Sequence, residues 1–111
     1  MKRLALLLVG GLLACASQIP EKVDLTPGAE NVEFAYETPS ADAYKLMGTV
    51  KGVAAAEDPD QAQEAAKNDL RNKAAELGAV IVTIDENTGA LIPLQSRTKV
   101  TLVGRAYKPL D

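Results

Sequence analysis

The stretch that most constrains the fold is residues 58–85, which predicts one helix followed directly by one strand. Asp58 and Pro59 are typical of a helix start, because the aspartate accepts from free N–H groups of the first turn and the proline gives up a donor that has no partner there. Gly78 predicts the helix end, and residues 80–84 are a β-branched run that predicts a strand. Small and apolar residues at spacings of three and four form one stripe along the helix: Ala62, Ala66, Leu70, Ala74 and Leu77. Because this stripe is mostly alanine, we expect the helix to pack closely on a sheet.

Three further segments predict the other strands of that sheet. Residues 31–37 alternate apolar and polar side chains, which is typical of a half-buried strand. Residues 45–53 predict a second strand, in which Gly48 and Gly52 mark a bulge or a close approach by another backbone. The alanine-faced helix is the expected neighbour there. Residues 98–106 predict the last strand.

The order of these elements predicts an α+β fold with the sequence β-β-α-β-β. We expect a small four-stranded sheet with one helix packed on one face and the other face partly open. The crossover through the helix should be right-handed if the strands that it joins are parallel. Residues 86–97 are expected to form a loop. The open face is expected to carry Thr49, Lys51, Thr101, Val103 and Arg105.

Composition and charge exclude several classes of function. The chain of 111 residues is short enough for one domain, and its 12 basic and 15 acidic residues give a net charge of −3. An acidic chain without a basic patch is a poor candidate for nucleic-acid binding. With no histidine and a single cysteine, the chain lacks the ligands of a soft-metal site and shows no nucleophile–base pair. The acidic residues Asp58, Asp60, Asp85 and Glu86 do not have the spacing of a calcium loop. We therefore expect no metal, no cofactor and no enzymatic activity.

The first 15 residues have the pattern of a leader that ends at a lipid-modified cysteine. Lys2 and Arg3 precede an apolar run over residues 4–13, which is about half the length of a membrane-spanning helix. Residues 12–15 (LLAC) resemble the bacterial lipobox, in which the leader is cleaved before a cysteine that carries lipid such as palmitate. The only cysteine of the chain, Cys15, stands at that position. We therefore predict covalent lipid on Cys15 and anchoring to a membrane.

Two alternatives remain for this leader: an ordinary secretory signal cleaved nearby, with Cys15 incidental, and a short membrane anchor that is never cleaved. Ala16 rather than an aspartate follows the cysteine, which resembles the pattern of lipoproteins sorted to the outer membrane. If the source is Gram-negative, the protein should therefore face the periplasm.

The polar, proline-containing stretch after the leader, residues 17–30, predicts a spacer. The predicted organisation is a lipoprotein signal peptide over residues 1–14, a lipidated cysteine and flexible tether over residues 15–30, and a small α/β envelope domain over residues 31–111.

Residues 67–79 (KNDLRNKAAELGA), with MGTV at 47–50 and GRAY at 104–107, resemble a family of small bacterial envelope lipoproteins of unknown function. This family is related to the outer-membrane Rcs stress-sensor lipoprotein and to the YbjQ-type domains. The resemblance implies a compact α/β domain displayed in the cell envelope and, by the best-known relative, a role in sensing envelope damage. It also implies a cysteine near Tyr44 and another where Pro109 stands. Neither is present, so the disulfide between the two end strands is absent.

The strongest candidates for an interaction surface lie in the predicted loop. Leu91, Ile92 and Leu94 belong to an unusually apolar run that either contacts a partner or folds back over the open face as core, and we favour core. Lys51 and Arg105 are further candidates. We expect a non-enzymatic, lipid-anchored cell-envelope protein with an envelope protein as partner. Two alternatives are a secreted module that binds a small molecule on the open sheet face and a tethered domain with no specific partner.

Overall fold

The computed structural model describes residues 19–110, so the predictions for residues 1–18, including the one for Cys15, lie outside the described residues. A 3-10 turn at Ala29–Asn31 precedes the first strand. The other elements are β1 (Glu33–Ala35), β2 (Tyr44–Ala56), α1 (Pro59–Glu76), β3 (Ile81–Thr83), β4 (Glu86–Ile92) and β5 (Arg97–Pro109). Over the residues described, no helix has the length and apolar character needed to cross a membrane.

The sheet is mixed and is organised around the long strand β5. Its order is β1-β3-β5-β2, and β4 also pairs with β5, on the same edge as β3. The antiparallel β2–β5 ladder runs from Tyr44 opposite Pro109 to Ala56 opposite Thr98, with a bulge between Leu46 and Gly48. The α+β class is therefore confirmed. The helix joins β2 to β3, but β5 lies between these two strands.

The sheet has five strands rather than the predicted four. The prediction of a loop over residues 86–97 is wrong. Most of this stretch is β4, which forms an antiparallel hairpin with β5 through a turn over residues 93–96. The first six residues of β4 are all exposed, so the strand has no alternation of apolar and polar side chains that could mark it. It forms because β5 is 13 residues long and offers backbone partners beyond the end of β3.

The helix boundaries follow the predicted signals. The Asp58 carboxylate accepts a hydrogen bond from the Asp60 N–H at 3.0 Å, and Pro59 is the first helical residue. At the other end Gly78 has a φ of 77°, and the Ala79 N–H donates to the Ala74 carbonyl at 3.1 Å. This arrangement satisfies a terminal carbonyl as glycine caps do.

The contact between α1 and the sheet is a direct approach of two backbones. A Cβ placed on Gly52 would overlap the Ala66 carbonyl oxygen and would lie 2.7 Å from the Leu70 nitrogen. The close approach predicted for Gly52 is therefore confirmed. The helix stripe packs here against small and branched residues of β2, β3 and β5; the buried members of this core include Val50, Ala54, Val82, Val100, Leu102 and Ala106.

Residues 19–32, which we call the strap, run along the helix rather than freely through solvent. The Asn72 amide donates to the Asp24 carbonyl at 2.9 Å, and its oxygen accepts from the Thr26 N–H at 2.9 Å. The Asn68 amide donates to the Val23 carbonyl at 2.9 Å. The structure thus departs from the flexible tether expected up to residue 30. The side-chain amides of Asn68 and Asn72 bind the strap backbone there.

The start of the strap is bound at the end of β2. The Ala55 N–H donates to the Pro20 carbonyl at 2.9 Å. Nη2 of Arg97 donates to the Ile19 carbonyl at 3.0 Å and to the Ala55 carbonyl at 2.7 Å. The chain therefore enters the described domain beside the base of the β4–β5 hairpin.

We predict that Gly52→Ala strongly destabilises the protein, because the added methyl overlaps helix backbone that has no rotamer to change. Overpacking of this kind costs about 1–3 kcal/mol of unfolding free energy or more. Urea unfolding followed by circular dichroism measures it. Gly89→Ala is the matched control, since a Cβ there meets no atom closer than 3.9 Å. Equal unfolding midpoints for the two variants would contradict the close contact.

We also predict that Asn72→Ala releases the strap. The variant leaves the Asp24 carbonyl and the Thr26 N–H without their partner; both residues are exposed, so water can replace it and each lost hydrogen bond costs about 0.5–1.5 kcal/mol. Hydrogen exchange at the Thr26 amide should become faster while exchange in β5 changes much less. Asn87→Ala, at an exposed position, serves as control. Unchanged protection at Thr26 would show that Asn72 does not hold the strap.

Candidate functional site

The open face of the sheet collects the side chains expected there. In the β2–β5 ladder Thr49 lies opposite Arg105 and Lys51 opposite Val103, while Thr101 lies opposite Val53. Residues directly opposite each other point to the same face, and the alternate residues of β5 are buried under the helix. Thr49 and Lys51 are exposed, and the three β5 residues are half-buried.

Arg105 is not a free cation on this face. Its Nε and Nη2 donate to the two carboxylate oxygens of Asp85 at 2.9 and 3.1 Å. Nη1 donates to the Tyr107 hydroxyl at 2.8 Å, and Nη2 also reaches the Thr38 hydroxyl at 3.2 Å. A guanidinium in this bidentate geometry positions planar partners. Arg105 therefore joins the loop after β1 and the β3–β4 junction to β5.

A bulge brings Asp85 to Arg105. Val82 lies opposite Ala106 and Glu86 opposite Val103, so four steps along β3 and β4 correspond to three along β5. One extra residue of this kind bends a strand and redirects a side chain. Backbone contacts fix the bulge: the Asp85 N–H donates to the Val103 carbonyl at 2.8 Å.

The ion pair with Arg105 affects the charge state of the Asp85 carboxyl. The hydrogen bond from Arg105 lowers the pKa of Asp85, partial burial opposes this, and a hydrogen bond from Thr83 together with the charge of Arg105 lowers the pKa further. Asp85 is therefore an anion at neutral pH and an acceptor. A carboxyl with a lowered pKa is poorly placed to donate a proton at neutral pH.

The apolar run after β3 is exposed, so the preference for core is wrong. Leu91 is 75% exposed and Leu94 is fully exposed, whereas Ile92 is half-buried. The physical reason is that Leu91 lies on the edge strand β4 and Leu94 in the turn beyond it, where the sheet has no covering layer. Leu91 lies opposite Thr98 on the helix side of the sheet, so the predicted candidates do not form one surface with Lys51.

Two open concavities lie elsewhere on the domain. One of about 220 Å³ lies between the strap and the first half of α1, and one of about 630 Å³ is bordered by β1, the loop after it and the start of β2. None of the five open-face residues lines either of them. Among residues 19–110 no group of three or more His, Cys, Asp or Glu side chains is placed to hold a metal ion.

Sequence reasoning missed the side chains that bind distant backbone. Asn68 and Asn72 lie outside the predicted apolar stripe, yet Asn72 is buried by the strap. The guanidinium of Arg71 donates to the Val32 carbonyl at 3.0 Å and lies 5.0 Å from the centre of the Phe34 ring. Two asparagines four residues apart were the available signal, because both lie on one side of the helix.

We predict that the contribution of Asp85 to stability depends on pH in one direction. Its pKa is lowered in the fold, so the contribution is fully present above the unfolded pKa of about 3.9 and is lost as the pH falls through the folded value. The difference in melting temperature between wild type and Asp85→Asn should stay constant from neutral pH to about pH 5 and shrink below about pH 4. Asp42→Asn, at an exposed position, is the control. A difference that persists at the lowest pH at which both proteins fold would contradict this.

The extent of the fold agrees with a known sequence family. A comparison with curated proteins found no match. A family model described as a domain of unknown function matches residues 23–108, from within the strap to near the end of β5. The match covers more than half of the chain and includes part of the stretch that was expected to be tether. The chain belongs to the family defined by this domain of unknown function, DUF4156.

Proposed function

We propose that the protein is a lipoprotein of the bacterial cell envelope, anchored through acylated Cys15, which displays a small non-enzymatic interaction domain. One observation carries this proposal: the only cysteine of the chain ends the lipobox-like tetrapeptide LLAC, behind a charged and then apolar leader. Several acyl chains on one residue give durable anchoring, whereas one alone is marginal. The family match assigns no activity, so the role rests on the chain itself.

The non-enzymatic role has support from the chemistry of the side chains. The chain has no histidine, and its only thiol is the residue to be acylated. Asp85 is held as an anion by Arg105, and all three nitrogens of that guanidinium already donate to protein oxygens. These groups are engaged in holding loops together. We therefore propose binding rather than turnover.

The proposed partner is another envelope component, and the proposed setting is envelope stress sensing. This part of the proposal is supported by the resemblance to the Rcs stress-sensor lipoprotein; the family match assigns no role. Lys51 and Thr49 are the exposed members of the open face and are proposed to contact the partner. In a Gram-negative source the protein would be attached to the outer membrane and face the periplasm.

The absence of cysteines at Tyr44 and Pro109 shapes this proposal. These two residues lie opposite each other at the end of the β2–β5 ladder. A sensor that signalled through a disulfide between the two strand ends would need thiols at this place. We therefore propose that this protein acts through a non-covalent surface.

The first test compares intact mass and detergent partitioning of the wild type with Cys15→Ser, both made in a bacterium with lipoprotein-processing enzymes. We expect the wild type to begin at residue 15, to carry added acyl mass and to enter the detergent phase. The variant should retain its leader or be cleaved elsewhere, and should carry no acyl mass. Ser17→Ala is the matched control and should behave as the wild type. An unmodified wild type in the aqueous phase would contradict the proposed anchoring.

A further inference from the structure

The end of the β4–β5 hairpin carries apolar side chains that the fold does not bury. We call Leu91, Ile92, Pro93 and Leu94 the apolar tip. Leu91 is 75% exposed and Leu94 is fully exposed, and Pro93 is exposed as well. No charged residue occurs from 87 to 96, although 24% of the residues of the whole chain are charged. Contiguous exposed apolar side chains are typical of contact surfaces, whereas single ones are ordinary.

The backbone conformation at Leu94 is unfavourable for a leucine. Its φ is 68°, in the left-handed region that glycine and asparagine adopt most readily. A leucine here carries the steric penalty of that conformation and buries no side-chain surface in return. Turn formation therefore does not explain why a leucine stands at this position.

The chain enters the domain at the same end. Arg97 lies opposite Ile92 at the base of the tip, and its Nη2 binds the Ile19 carbonyl at 3.0 Å. Cys15 precedes Ile19 by four residues, which can span at most about 14 Å. A lipid on Cys15 would therefore hold the bilayer surface close to the apolar tip.

We propose that the apolar tip enters the interfacial layer of the phospholipid bilayer beside the lipidated cysteine, as a second membrane contact that fixes the orientation of the domain. The proposal rests on the proposed acylation of Cys15. Insertion depends on apolar burial rather than on charge, because the carboxylates of Glu57 and Asp58 lie at the same end as the cations of Arg97 and Lys99. Zwitterionic phosphatidylcholine is therefore a sufficient surface.

The anchor makes a small contact effective. Two or three apolar side chains bind a bilayer weakly by themselves, but a short link raises their effective concentration at the surface to the order of millimolar or more. The tip therefore samples lipid continuously once Cys15 is acylated. Without the acyl chains the same tip would be mostly in water.

Docking through the tip sets which surfaces face away from the membrane. The strand β5 begins at the tip end and continues for 13 residues, a rise of about 40 Å. The end that holds Tyr44 and Pro109 then points away from the bilayer, with the concavity beside β1. The open face, with Lys51, stands on the side of the domain and is accessible to a partner.

The test uses the acylated full-length protein in phosphatidylcholine vesicles that contain nitroxide-labelled phosphatidylcholine. Gln95→Cys places an environment-sensitive fluorophore in the turn without changing the leucines, and Lys45→Cys places the same probe at the far end of β2 as a matched control. Cys15 is blocked by its lipid, so the new thiol is labelled alone. We expect nitroxide lipid to quench the probe at 95 by about twofold or more and to leave the probe at 45 unchanged, since interfacial segments lie within about 10 Å of the headgroup boundary.

The leucines themselves are tested by the background Leu91→Asn with Leu94→Asn, in which quenching at 95 should be lost. Asparagine suits the left-handed turn position, so this variant keeps the fold. Acylated Cys15 with equal quenching at 95 and 45 would overturn the tip proposal while leaving the anchor intact. Protection of the probe without quenching, together with disulfide-linked dimers of Gln95→Cys, would assign the tip to a second copy and overturn it too. A mass spectrum without acyl groups would overturn both proposals.

Discussion

The structure depends on the direct contact between the α1 backbone and Gly52 of β2. Because no side chain separates them at this point, the helix can lie on the sheet only with a stripe of small residues such as Ala66 and Ala74. Leu70 is the one large, fully buried side chain that α1 contributes. A thin layer of this kind buries little surface per residue, which places the domain among small folds with modest reserves of stability. Hydrogen bonds between segments that are far apart in the sequence therefore help to hold this fold together.

The close approach of the helix also closes the free edge of β2. The carboxylate of Asp69 accepts from the Val53 N–H at 2.9 Å, and the Lys73 ammonium donates to the Lys51 carbonyl at 2.8 Å. Pro20 of the strap pairs with the next edge position through the Ala55 N–H. An open strand edge is a template for unwanted pairing, and helix and strap together block it here. In the proposed roles, the edge of β2 is therefore not a contact surface, and the open face and the apolar tip are.

The elements with local signals could be predicted from the sequence, and those that depend on distant partners could not. The helix caps and Gly52 each follow from neighbouring residues, and the open face follows from alternation along β2 and β5. By contrast, Asn72 binds the strap 46 and 48 residues away, and Arg97 binds Ile19 at a separation of 78. Nothing within a short window marks such pairs. The strand β4 was missed for a related reason, because its residues are exposed and its pairing is determined by β5.

The strap shortens the free chain between a lipid anchor on Cys15 and the domain. A free spacer up to residue 30 would let the domain move over tens of ångströms, whereas contacts from Ile19 onwards leave only residues 16–18 between an acylated Cys15 and the fold. The domain would then be held at the bilayer, and the proposed partner would have access to the open face and the far end. At that far end Tyr44 and Pro109 are paired without a disulfide, and the Leu110 N–H donates to the Ala43 carbonyl at 2.9 Å. Backbone pairing alone can separate and re-form, so a partner that engages this end needs no redox step.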